Sequence, residues 1–166
     1  MSRRGAITGT AAAVLIWSVT ACGFPRDPDG TLERVTGGVL RVGVSENPPW
    51  TRWPGGAPAA GESGEPSGIE VDLVSDFAAS LGAEVAWVPG SEADLMTLLE
   101  ESELEVVVAG LEASAPWSSH VALTYPYATS IDDKGEEVRH VMAVVMGEND
   151  LLTTLESFLL AQDVAL

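Results

Sequence analysis

Hydrophobic and polar positions follow two alternating periods along most of the chain. Residues 39–44, "VLRVGV", form a short β-branched run that predicts a strand. A stretch dense in Pro and Gly follows at 45–68, "SENPPWTRWPGGAPAAGESGEPSG", and predicts a long loop. Val71, Val74, Phe77, Ala78 and Leu81 then recur at helical spacing, with Gly82 as the stop. "EVAWV" at 84–88 predicts a second strand. The next helix opens at Ser91, with Asp94 in the capping-box position and Leu95, Leu98 and Leu99 as its apolar stripe.

Residues 104–110, "LEVVVAG", are almost unbroken apolar, as a central parallel strand requires. "VALTY" and "VMAVV" read as the fourth and fifth strands. Leu151, Leu152, Leu155, Phe158 and Leu159 mark a closing helix. Strands and helices alternate, which predicts an α/β domain of three layers around a mostly parallel sheet of about five strands.

The first residues carry a different signal. Arg3 and Arg4 precede an uncharged run from Gly5 to Cys22, the pattern of an export signal over 1–21. The run is short and rich in Ala, Gly and Thr for a membrane span. It ends in "VTAC", which resembles a bacterial lipobox, with Cys22 as the acylated first residue of the mature protein. An ordinary cleaved signal and an uncleaved anchor are the other readings. Cys22 is the only cysteine, so no internal disulfide forms. Residues 22–38 show no apolar periodicity and are expected to be a flexible tether.

The 166 residues carry 25 acidic and 8 basic side chains, a formal net charge of −17. That balance repels phosphate backbones and argues against nucleic-acid binding, while it admits cationic solutes or basic surfaces. Signals for catalysis, cofactors and metals are absent. No glycine-rich phosphate loop, nucleophile elbow or His/Cys pair at metal spacing occurs. His120 and His140 stand singly, and pairs such as Asp132 with Asp133 read as solvated faces.

Three segments in order, "VLRVGVSENPPW", "GIEVDLVSDFAASLGAEVAWV" and "LEVVVAGLEASAPWSSHVALTYPYATS", together resemble the family 3 solute-binding proteins of ABC transporters. The resemblance implies one periplasmic-binding-protein-like lobe over 39–166. It also implies a small polar solute and an ABC permease or another membrane protein as partner. In that family the chain leaves lobe one after a Pro-Tyr segment, builds a second lobe, and returns. Here "PYATS" departs and "HVMAVV" returns, with only "IDDKGEEVR" between them, so a second lobe has no room between about 131 and 139. Residues 132–139 are expected to form an exposed connector. Hinge closure around a solute is then lost to this chain, and its affinity for a small solute should fall.

The resemblance places the ligand site at Glu46 and Trp50 after the first strand. After the third strand it places Gly110, Leu111, Glu112, Ser114 and Trp117. Trp117 stands where amino-acid binders of the family carry an Arg for the ligand carboxylate. An indole cannot neutralise a carboxylate, and Glu112 adds a negative charge. Trp50, Glu112 and Trp117 either hold a cation by cation–π contact and charge pairing, or the tryptophans simply cover the sheet ends. The leading reading is a lipid-anchored extracytoplasmic binding lobe, atypical or degenerate in its ligand. A surface module that docks another protein is the alternative.

Overall fold

A computed structural model describes residues 27–58 and 64–164. The expected export signal over 1–21 and the expected lipidation site, Cys22, lie outside the described residues. The elements run in the order α1 (Thr31–Val35), β1 (Val39–Val44), α2 (Ile69–Ser80), β2 (Glu84–Pro89), α3 (Glu92–Glu100) and β3 (Val106–Glu112). A 3₁₀ turn (Pro116–Ser119), β4 (Ala122–Leu123), β5 (Ala128–Ile131), β6 (Glu137–Val144) and α4 (Asn149–Leu159) complete the chain.

The described strands form one sheet of order β2–β1–β3–β6–β4, with β5 also paired to β6. Its core, β2–β1–β3, is parallel. β6 runs antiparallel to β3, β4 and β5, so the sheet is mixed overall. This is the α/β domain expected from the alternation, with the periplasmic-binding-protein-like lobe that the resemblance implied. The central strand is buried at every position from Val106 to Leu111, which accounts for its unbroken apolar run.

Helix α3 packs over β1 and β3 on the face toward which Gly43 points. A Cβ at Gly43 would lie 2.8 Å from Leu104 and 3.0 Å from Leu95, so this face has no space for a side chain there. Helices α1, α2 and α4 contact one another and cover the other layer, with Phe77 of α2 against Phe158 of α4 at 5.5 Å between ring centroids. Phe77, Leu95, Leu151 and Leu155 are all fully buried, and each contributes roughly 1.5–3 kcal/mol of apolar burial. The Ser91 cap of α3 forms as the sequence requires: its hydroxyl accepts the Asp94 N–H at 3.3 Å.

Two expectations change. Residues 27–38 are part of the lobe and not a tether. Asp27 accepts the N–H groups of Asp150 (2.7 Å) and Leu151 (3.3 Å) at the start of α4, and that of Leu32 (2.9 Å) in α1. Glu148 returns the arrangement, accepting from Asp29 (3.2 Å) and Thr31 (3.0 Å). Each acid thereby satisfies orphan N–H groups of a helix start distant in sequence. Nothing local marks such a cap, so the periodicity of 22–38 did not show it.

The connector is the second change. Thr129 to Ile131 and Glu137 to His140 are strand, paired Ala128↔His140 through Ile131↔Glu137. The shortcut is a β-hairpin whose turn is held by Asp132, which accepts the N–H groups of Lys134 (2.9 Å) and Glu136 (2.8 Å). Gly135 supplies the positive φ of 82°. The departing and returning chains therefore pair directly, and the residues remain largely exposed.

Candidate functional site

Pairing between β3 and β6 slips between Val107↔Ala143 and Leu111↔Val141, so β3 carries two extra residues there. Gly110 sits in this bulge at φ +62°, and a Cβ on it would lie 2.6 Å from Trp50 Cδ1. A bulge removes backbone groups from the ladder and they need other partners. The Gly110 N–H donates to the Glu70 carboxylate at 2.8 Å, and the Ala109 carbonyl accepts from Asn47 Nδ2 at 2.8 Å.

Glu70, in the first turn of α2, is fully buried. Its second oxygen accepts the Tyr127 hydroxyl at 2.6 Å. Burial pushes the carboxyl up to about 7, against the hydrogen bonds from Tyr127 and Gly110 that favour its ionised form. Burial first, and then the neighbouring Glu70 charge, push the Tyr127 phenol upward as well.

Trp50 lies beneath the bulge. Its ring meets His140 at 3.8 Å between centroids and Tyr127 edge-on at 6.2 Å. His140 Nε2 bonds to Ser130 Oγ at 2.7 Å, and the Gly110 backbone lies against the same ring. Burial lowers the imidazole pKa, so the neutral ring is favoured between Trp50 and the hairpin.

Above this buried layer a cavity of about 390 Å³ opens at the carboxyl end of β3. Asn47, Glu92, Gly110, Glu112, Ser114 and Pro116 are among the residues that line it, and no lining residue is cationic. Trp117, on the 3₁₀ turn, donates its indole N–H to Glu92, and Ser114 Oγ donates to Glu112 at 3.1 Å. The indole holds an acid at the cavity, at the position that the resemblance assigned to the Arg of amino-acid binders. A second cavity of about 380 Å³ shares Glu112 and Ser114 and includes Lys134 and Arg139 of the hairpin.

Of the residues singled out from sequence, Gly110, Leu111, Glu112 and Ser114 converge on the cavity. Trp117 adjoins it through Glu92. Glu46 is exposed and does not line it. Trp50 is 6% exposed and has His140 against its ring, so it cannot serve as an open cation–π platform. Its part is to support Gly110 from below. Sequence reasoning missed Asn47, Glu92, Glu70 and Tyr127. The acid inside the otherwise apolar face of α2 was the available signal for Glu70. Among the described residues, no group of three His, Cys, Asp or Glu side chains is placed to hold a metal ion.

Residues 40–159 match the model of the bacterial extracellular solute-binding proteins, family 3. The chain belongs to this family. Among solved solute-binding structures it is similar to domain 1 from TmArgBP, the ArgBP of T. maritima, in its arginine-bound form. Identity there is 28%, the TM-score is 0.61, and the match covers 76% of this chain and 95% of that one. An ancestral cationic amino acid solute-binding protein shares the fold at TM-score 0.64 and 15% identity, over 78% of this chain and 92% of that one. A curated relative, the membrane-bound lytic murein transglycosylase F of Idiomarina loihiensis, is 31% identical over 110 residues. That stretch is 66% of this chain, which spans only 22% of the transglycosylase.

Proposed function

We propose that this family 3 lobe is a binding module for a small cationic solute, arginine or a related guanidinium or ammonium compound, held in the open half-cleft at the end of β3. The observation that carries the reading is the pair of carboxylates, Glu92 and Glu112, on a cavity whose lining holds no cation. A guanidinium placed between two acids gains charge-assisted hydrogen bonds. A carboxylate in the same place meets only like charge. The arginine-bound form of domain 1 from TmArgBP supports the reading, since there a single domain is seen with arginine, and the match to this chain covers 95% of it.

The tight hairpin at Asp132–Glu136 leaves no room at this crossover for a second lobe that would close over the solute. The solute stays partly in water, so binding is weak and falls with salt. In this reading the lobe acts on the extracytoplasmic face, tethered by an acylated Cys22, and hands solute to an ABC permease. The signal-like pattern of residues 1–21, the lipobox-like "VTAC" and the family membership support that reading.

Titration calorimetry of the full chain against arginine, lysine, choline and glutamate tests the reading. Arginine is expected to bind, with affinity falling as salt rises, and Glu112→Gln should weaken it about five-fold by removing one part-exposed charge pair of about 1 kcal/mol. Micromolar binding of glutamate, or arginine binding indifferent to Glu112→Gln and to salt, would overturn it.

A further inference from the structure

Among the described residues Glu70 neither lines the open cavity nor forms an ion pair, yet one side chain joins three segments. Its backbone N–H donates to the Trp50 carbonyl at 3.0 Å. Its carboxylate takes the Gly110 N–H at 2.8 Å and the Tyr127 O–H at 2.6 Å. Helix α2, the bulge that floors the cavity and the segment leading into β5 thus meet on a single acid.

We propose that Glu70 is a positioning residue that fixes the cavity floor and makes solute binding depend on its own protonation. This inference rests on the cationic-solute reading given above. The ionised carboxylate accepts from both donors at once. Added proton turns one oxygen into a donor, which can face Tyr127 oxygen but not the Gly110 N–H. Tyr127 must then turn its own proton elsewhere within a buried site, and the bond to Gly110 loses its charge assistance. Ionisation also sets a negative charge directly beneath a cavity that takes a cation. A cationic solute is therefore held more tightly by the ionised form, and by reciprocity holds Glu70 ionised.

The other titratable groups around this cluster are Tyr127 itself, His140 on β6, stacked on Trp50, and Glu112 farther along β3. From α3, Glu92 faces the cavity. Because burial brings the Glu70 carboxyl to about 7, its ionisation falls within an accessible range.

Calorimetric titration of arginine into the full chain at about pH 5.5 and about pH 8.5, with wild type and Glu70→Gln, provides the test. Wild type should bind arginine at least about five-fold more tightly at the higher pH. Glu70→Gln mimics the protonated acid, its carbonyl accepting from Gly110 and its amide facing the Tyr127 oxygen, and cannot ionise, so its affinity should resemble that of wild type at low pH and vary less than about two-fold. A second readout needs no solute: the Gly110 amide resonance of wild type should move with an inflection near neutrality and stay fixed in Glu70→Gln. Equal pH dependence in the two proteins, or a Gly110 resonance that titrates identically in both, would overturn the inference. Absence of arginine binding at every pH would instead bring down the functional reading, and the Gly110 resonance would then decide the role of Glu70 alone.

Discussion

The ring of Trp50 occupies the space that a side chain on residue 110 would need, with an ideal Cβ on Gly110 lying 2.6 Å from Trp50 Cδ1 and 2.7 Å from Asn47 Nδ2. At φ +62° the backbone of Gly110 is also in the left-handed region. Gly110→Ala therefore meets backbone strain and overpacking together, and should destabilise the lobe by about 2–4 kcal/mol. Urea unfolding followed by tryptophan fluorescence measures this. A change below about 0.5 kcal/mol would mean that Trp50 does not lie under the bulge.

Glu70 predicts a pH dependence of stability with a definite sign. Below about 4.5, its ordinary value, the carboxyl is protonated in folded and unfolded chains alike. Between there and about 7 the unfolded chain ionises while the folded lobe keeps the proton, so this group's contribution falls as pH rises. Above about 7 the full cost of the buried charge is present, on the order of 3 kcal/mol. Glu70→Gln should remove this component. The stability difference between variant and wild type should therefore shift in the variant's favour from about pH 4 to about pH 8. A constant difference across that range would contradict it.

Glu105, at 1% exposure, accepts from the Arg41 backbone N–H at 2.8 Å and from its guanidinium, and Arg34 stands 3.7 Å away. The hydrogen bond to Glu105 is the main cause that raises the Arg41 pKa. Arg41→Met strips the buried acid of its principal partner and should cost about 3 kcal/mol. Adding Glu105→Gln to Arg41→Met should recover part of that loss. Chemical denaturation of the single and double variants decides it, and no recovery in the double would mean that the charge is not the source of the cost.

Cys22 carries the expectation of a lipid anchor, and it lies outside the described residues. Cys22→Ser should leave the lobe folded and release it from membranes into the soluble fraction. Fractionation with detection of the unprocessed form checks this. A Ser variant that stays membrane-bound would point to an uncleaved anchor instead.

The sequence by itself determined the elements whose signal is local. The 3.6-residue spacing of Val71, Val74, Phe77 and Ala78 and the Ser91 cap placed their helices, and the unbroken run at Leu104–Gly110 marked the central strand, which itself runs two residues later, Val106–Glu112, because burial selects those residue types in that order. The shortness of the crossover at about 131–139 was legible too, because the departing and returning segments stand only a few residues apart in the chain. Tertiary structure decided what depends on distant partners. Asp27 became a helix cap only when α4 arrived beside it, and Ala128–Ile131 became a strand only when β6 offered its edge. Trp50 went under Gly110 and not onto a ligand. The cavity at the end of β3 drew Glu92 from a helix start and Asn47 from a loop, residues separated by the whole of α2 and β2. Convergence of that kind has no period in the chain, since it is set by how sheet and helices pack and not by neighbours in sequence.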